Sequence, residues 1–313
     1  MSTRDGGGSG RSDPTGTTTW DDYRHNNFQG TNYRVRGPQD GPVVVCVHGI
    51  GSFSVCFDGI ATAFVERGFR VVTYDLLGRG HSRPIDPSSD KSSAELLVGQ
   101  LHALMQFLEL TQVPKHIIAH SMGGAVATLY TDQHGANGSV ASLTLLSPAG
   151  LMDSGMFKFV RGCGCLRSMI RNQLRGGQEK AWRSDFVEKG TALEEETVRV
   201  LRLQSEHTDV FEALWQDVLS FPLFGLESVV RRLSEDETHN RLSVFVLWGD
   251  SDTAVPFNPN FARWRTAFEW RSSAPPSWSE FRHHVVREAG HMFFEERKDE
   301  VVPLITEFVS HHE

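Results

Sequence analysis

The chain has 313 residues, enough for one large α/β domain or for a core domain with a smaller insertion. Hydrophobic residues make up 39% and charged residues 22%, the balance of a folded globular chain and not of a fibrous or disordered one. A formal net charge of −8 points away from nucleic acid and anionic membranes as default partners, and no apolar run reaches the length of an integral membrane span.

Residues 1–30 read as a disordered tail. Up to Thr19 the chain is almost entirely Gly, Ser, Thr, Asp and Arg, with no apolar periodicity. It lacks the apolar centre of a secretory signal, and Asp5, Asp13, Asp21 and Asp22 argue against an organelle transit peptide. A cytoplasmic location follows by default.

Beyond about Tyr33, short β-branched runs alternate with longer amphipathic stretches. Strands are predicted at 43–47, 70–74, 116–119, 142–146, 243–247 and 284–287. Runs as continuous as Val43-Val44-Val45-Cys46-Val47 suggest parallel strands covered on both faces. Helices are predicted at 58–67, 93–110, 123–134 and 295–308; in the second, Leu97, Leu101, Leu104, Met105 and Leu108 form a stripe of spacing three and four. The alternation predicts a doubly wound, mostly parallel α/β sheet. Residues 151–242 interrupt it with helical patterns alone, at 193–206 and 209–219, and are far too long for an ordinary connection. The expected organisation is a core of residues 31–150 and 243–313, with 151–242 as a helical cap.

The sharpest local signal is Ile117-Ile118-Ala119-His120-Ser121-Met122-Gly123-Gly124. An apolar strand runs into a serine flanked by small residues and then into a helical start, the context of a nucleophile elbow. Ala119 stands where glycine is usual, a difference of one methyl. Upstream, His48-Gly49-Ile50-Gly51 follows the strand at 43–47 directly. Acyl transfer needs N–H donors aimed at a developing oxyanion, and the expected donors are the amides of Ile50 and Met122. His48 is expected to hold its loop and not to act as a base.

Fourteen histidines are present. His291, in Ala289-Gly290-His291-Met292, follows a strand late in the chain and is placed where a base reaches the top of the sheet. His283 and His284 lie in or beside that strand, and His311 and His312 at the end of the chain. An acid must orient the base. Asp250 and Asp252, in Trp248-Gly249-Asp250-Ser251-Asp252, both follow the strand at 243–247. Four cysteines are too few for a disulfide framework at this length, and the Cys163-Gly164-Cys165 pair lacks two further ligands at metal-binding spacing. Neither a metal nor a cofactor is expected.

Together these segments, with Tyr74-Asp75-Leu76-Leu77-Gly78-Arg79-Gly80-His81-Ser82 and Ser147-Pro148-Ala149-Gly150, resemble the α/β-hydrolase family from about Tyr33 to the C-terminus. The resemblance implies the α/β-hydrolase fold and favours Asp252 over Asp250 as the acid, giving Ser121, Asp252 and His291 in the family's chain order. Relatives that cleave halides or epoxides carry aspartate at the elbow, so Ser121 points instead to acyl transfer. The chain looks most like monoacylglycerol lipases and related esterases. The implied partner is a small lipophilic ester, held by cap residues such as Met152, Met156, Phe157, Phe159, Phe211, Phe221 and Phe224. Carbon–carbon hydrolysis, proline iminopeptidase activity and a non-catalytic ligand receptor are the alternatives on the same fold.

Overall fold

The computed structural model describes residues 18–86, 89, 91–235, 239, 242–269 and 280–312. Among the described residues the strands are β1 (Asn26–Phe28), β2 (Thr31–Arg36), β3 (Val43–Val47), β4 (Arg70–Tyr74), β5 (Lys115–His120), β6 (Val140–Leu146), β7 (Ser243–Gly249) and β8 (Phe281–Val286). They form one sheet in the order β1-β2-β4-β3-β5-β6-β7-β8. β1 with β2, and β2 with β4, are antiparallel; every other neighbouring pair is parallel. The predicted mostly parallel, doubly wound sheet is what forms.

The helices are α1 (Asp58–Val65), α2 (Ser93–Phe107), α3 (Met122–His134), α4 (Gly155–Gly162), α5 (Arg167–Gly176), α6 (Gln178–Ser184), α7 (Ala192–His207), α8 (Val210–Ser220), α9 (Glu227–Glu235), α10 (Phe257–Glu269), α11 (Phe293–Glu296) and α12 (Lys298–His311). Local chemistry starts several of them. Ser92 accepts the Glu95 N–H while the Glu95 carboxylate accepts the Ser92 N–H, a reciprocal cap on α2. Thr191 and Asp209 cap α7 and α8 in the same position.

Strand alternation builds two cores. Val43, Val45 and Val47 face the layer of α2, α3, α9 and α10, whereas Val44 and Cys46 face α1 and α12. Both faces are covered, which is why β3 reads as an unbroken apolar run.

Residues 18–30 depart from the expected tail. Trp20–Tyr23 form a 3₁₀ turn, and Trp20 is buried between Phe53 (ring centroids 5.7 Å), His81 (4.3 Å) and His207 (5.4 Å). β1 and β2 then make a hairpin through Gln29 and Gly30, both at positive φ (50° and 83°), as a two-residue turn of this hand requires. The sequence shows little of this because β1 contains one apolar residue, Phe28, and its partners come from distant segments. The expected tail residues 1–17 lie outside the described residues.

β8 begins earlier than predicted and stops before Arg287, which falls in the following turn. Residues 151–242 connect the neighbouring strands β6 and β7 and hold α4 to α9, with no strand among the described residues. Their last stretch merges with the core: Phe221, Leu223, Leu226, Val230 and Leu233 join the cluster under the sheet, and α9 packs on α3 and α10. All four cysteines are free; Cys46 and Cys56 are buried, Cys165 exposed. Among the described residues, no helix is long and apolar enough to cross a membrane.

Candidate active site

Ser121 is the single residue between β5 and α3, at φ 55° and ψ −123°. A non-glycine residue there is strained, and the surroundings enforce it. Its N–H donates to the Leu146 carbonyl (2.9 Å), and its carbonyl accepts from Gly124 (2.9 Å) and Ala149 (3.0 Å). The turn also brings α3 hard against the end of β3. A Cβ on Gly123 would sit 2.2 Å from the Val47 carbonyl oxygen, and one on Gly124 would sit 2.6 Å from Pro148 Cβ. Those contacts account for the two glycines after Ser121 and for the Ser147-Pro148-Ala149-Gly150 segment that caps the turn.

Asp252 and His291 meet at the C-terminal ends of β7 and β8. Nδ1 of His291 donates to Oδ2 of Asp252 at 2.7 Å, and both residues are buried. The other Asp252 oxygen accepts the N–H groups of Ala254 and Val255, each at 2.9 Å. With Nδ1 carrying the proton, Nε2 is the basic atom of the neutral ring. Burial disfavours the imidazolium, but the charge and hydrogen bond of Asp252, together with the charge of Asp185, outweigh it and raise the His291 pKa above the ordinary histidine value.

The other candidates are engaged elsewhere. Asp250 accepts the Glu288 N–H (2.9 Å) and the Ser251 hydroxyl (3.0 Å), bracing the turn that precedes His291. His283 packs on Phe261 and Phe281, His284 pairs with Glu300 (2.7 Å), and His312 pairs with Glu280 (3.2 Å). His48 has the structural part expected of it. Its Nδ1–H donates to the Gly49 carbonyl (2.8 Å) and its Nε2 accepts the Leu76 N–H (2.8 Å), while burial pushes its pKa down to about 4.

Ser121, His291, Ile50 and Met122 all line one cavity of about 290 Å³. The walls are mostly apolar. Of the residues expected to hold an acyl group, Met152 and Phe211 line it; Phe159 is exposed, Phe221 is in the core beneath, and Phe224 lies under Arg161. The side chains of Met156 and Phe157 lie outside the described residues.

The model of the alpha/beta hydrolase family matches residues 44–304. The chain belongs to the alpha/beta hydrolase family. Monoacylglycerol lipase abhd6-B of Xenopus laevis is 31% identical over 142 residues, 45% of this chain and 41% of that protein. Probable oxidoreductase EphD of Mycobacterium tuberculosis is 31% identical over 147 residues, 47% of this chain and 22% of that protein. The chain thus spans less than half the length of either relative. Among solved structures, an esterase from Exiguobacterium antarcticum superposes with a TM-score of 0.68 at 18% identity, covering 90% of this chain and 95% of that one. A thermophilic esterase from Thermogutta terrifontis gives 0.69 at 21% identity, over 90% and 94%. At such identities the likeness is one of fold.

Around this family frame the structure adds residues that no spacing rule singled out. His120, next to Ser121, donates from Nε2 to the His291 carbonyl at 3.1 Å, and burial keeps its pKa well below the usual range. Arg79 is fully buried; Nε donates to the Ile50 carbonyl (3.1 Å), Nη1 to the Leu77 carbonyl (2.8 Å), and Nη2 is paired with Asp217 of α8. Gln204 of α7 accepts the Gly80 N–H (2.8 Å) and donates to the Gly51 carbonyl (3.2 Å). The loop that carries the Ile50 amide is therefore held by two helices of the 151–242 segment. Asp75, behind it, accepts from Ser54, His81 and Asn32 at 2.7–3.0 Å.

Asp185 follows α6 and enters the same cavity. Its carbonyl accepts the Met292 N–H (3.0 Å), and a Cβ on Gly290 would lie 2.3 Å from it. Its carboxyl is desolvated although part of the residue reaches the surface, and its pKa is pushed up to about 7, first by burial, with His291 pulling the other way. Glu296 completes the seam, accepting from Gly290 (2.7 Å) and Val187 (2.6 Å).

Proposed function

We propose that the chain is a serine hydrolase of carboxylic esters with a lipophilic acyl group. The observation that carries this reading is one apolar cavity lined by both the strained Ser121 and His291, whose Nδ1 is bonded to Asp252. In this proposal Nε2 of His291 takes the Ser121 proton as Oγ attacks the ester carbonyl. The amides of Ile50 and Met122 hold the oxyanion; the latter is the first N–H of α3, which has no partner within the helix. His291 then protonates the departing alcohol, and a water activated by the same ring hydrolyses the acyl-enzyme. Asp252 stabilises the imidazolium at both stages.

The 151–242 segment serves as the cap in this reading, since Leu174, Trp182, Leu201, Phe211, Leu214 and Val218 supply much of the apolar lining. At about 290 Å³ the cavity is at the small end of ligand pockets, roughly 300–1,000 Å³, which favours short to medium acyl chains.

Two measurements test the proposal. A fluorophosphonate should label the wild type and not Ser121→Ala, while a distant serine variant labels normally. A panel of p-nitrophenyl esters should then place the optimum at a medium acyl length. Absence of labelling under all conditions sinks the enzyme reading in favour of a ligand receptor; activity confined to acetate sinks the lipophilic substrate.

A further inference from the structure

Residues 155–183, from α4 to α6, run against the charge of the rest of the chain. They contain seven Lys or Arg and one acid, Glu179, within a chain of net charge −8. The same stretch turns apolar side chains outward. Phe159 is 52% exposed, Met169 60% and Leu174 42%, half of the six large apolar residues exposed among those described.

This is not a failed core. The inward sides of α4 and α5 are already used, with Val160 and Ile170 packed on Phe211 and Trp215. Phe159 and Met169 belong to a second, open side. The charges divide in the same way. Arg171 and Arg175 face α8, where they pair with Glu212 and Asp209 and lie over the Phe211 ring. Lys158, Arg167 and Lys180 have no carboxylate partner among the described residues. Arg167 donates to the Arg161 carbonyl, but no carboxylate among the described residues neutralises it. Exposed apolar side chains beside cations without carboxylate partners suit the boundary between acyl chains and anionic headgroups. Leu174, on the inward stripe of α5 one turn from Ile170, is partly exposed and also lines the cavity that holds Ser121, so α5 borders both that cavity and the open side.

We infer that α4 and α5 form a docking face for an anionic lipid bilayer, with Phe159 and Met169 entering the acyl region and Lys158 and Arg167 meeting headgroup phosphates. Two features of these helices select that occupant: their charge is opposite to that of the bilayer, and α5 also lines the apolar cavity through Leu174. The inference deepens the proposed function, because a lipophilic ester would reach Ser121 directly from the bilayer, and to that extent it rests on that reading. The local charge also reverses the expectation drawn from the net charge alone.

The test is sedimentation of the full chain with vesicles of phosphatidylcholine alone and of phosphatidylcholine mixed with phosphatidylglycerol. Binding is expected with the mixed vesicles, weakening as salt screens the charges. Phe159→Ser/Met169→Gln and Lys158→Glu/Arg167→Glu should each lower partitioning by about tenfold or more. Both variants should melt with the wild type and retain activity on a water-soluble short ester. The salt dependence of the wild type is an independent check should either variant fold poorly. The inference is overturned if the wild type ignores mixed vesicles at low salt, if the variants bind equally, or if the face instead mediates a dimer that the variants dissolve. Vesicle binding by a chain that fluorophosphonate does not label would support the docking face and sink the hydrolase reading alone.

Discussion

His120 holds His291 from the side: its Nε2 donates to the His291 carbonyl oxygen at 3.1 Å, and the two rings lie 4.4 Å apart. The residue before the proposed nucleophile thus positions the proposed base, tying the ends of β5 and β8 together. Replacing His120 with Phe keeps the bulk and removes the donor. A net hydrogen bond is worth about 1 kcal/mol, which corresponds to about fivefold in kcat/KM. Steady-state kinetics on a soluble ester should show that loss in kcat, with fluorophosphonate labelling slowed but present. An unchanged kcat would reduce His120 to packing.

Asp252 and Asp250 should separate cleanly. Asp252→Asn removes the charge opposite Nδ1 and allows the wrong tautomer. The corresponding change in a Ser-His-Asp protease costs about 10⁴-fold in kcat, and a loss of that order is expected here. Asp250→Asn touches only the turn at Glu288 and should leave kcat within a fewfold of the wild type. Comparable losses in both variants would contradict the assignment of the acid.

The pH profile carries a sign. The proposed base works as neutral imidazole, and its pKa is raised above the ordinary histidine value of about 6.5. Activity should therefore rise with pH through a midpoint above that value and fall on acidification. Asp185 is one of the charges that raise it. Asp185→Asn should move the acid limb of kcat/KM toward lower pH. Because Asp185 itself titrates at about 7, the wild-type limb belongs to the coupled pair and should be broader than that of the variant. Coincident profiles would remove Asp185 from the site's electrostatics.

The buried Arg79–Asp217 pair makes a prediction about stability. Burial already pushes the Asp217 carboxyl up, with Arg79 opposing it. Arg79→Met would leave that carboxylate without its countercharge in a dry site, a loss of about 3–5 kcal/mol. Urea unfolding should show a lower midpoint at unchanged slope. Arg79→Met/Asp217→Leu, which removes both charges, should recover most of the loss. The single variant should also lose kcat, because Arg79 braces the Ile50 carbonyl at 3.1 Å.

The two small residues of the elbow should behave oppositely. Gly123→Ala places a Cβ 2.2 Å from the Val47 carbonyl oxygen, a backbone atom that cannot swing away. It should cost stability and abolish labelling of Ser121. Ala119→Gly only deletes a methyl from a buried strand position and should retain labelling, with a modest loss of stability from added chain entropy, about 1 kcal/mol. Labelling of Gly123→Ala at the wild-type rate would mean that the elbow tolerates displacement from β3.

The sequence by itself determined that the core is a mostly parallel sheet and where its central strands lie along the chain; their order within the sheet came from the structure. β3 and β4 have the predicted bounds, and the predicted β5, β6 and β7 lie within the observed strands. The reason is physical: a strand buried on both faces has no polar positions, so composition and length identify it without a partner. β1 and β2 were not legible, since they carry only three apolar residues, Phe28, Tyr33 and Val35, and the first two take their meaning from Phe107 across the fold. For the site, Ser121 and His291 could be singled out locally, by a strand-to-helix turn and a strand-end loop. Asp250 and Asp252 are equivalent in local terms; resemblance favoured Asp252, and the tertiary structure is what places its carboxylate 2.7 Å from His291.

Only the tertiary structure could bring in His120, Arg79, Gln204, Asp217 and Asp185. Arg79 and Asp217 are 138 positions apart and His120 and His291 are 171 apart. A buried polar residue is defined by the partner that satisfies it, and no periodicity encodes a partner at that distance.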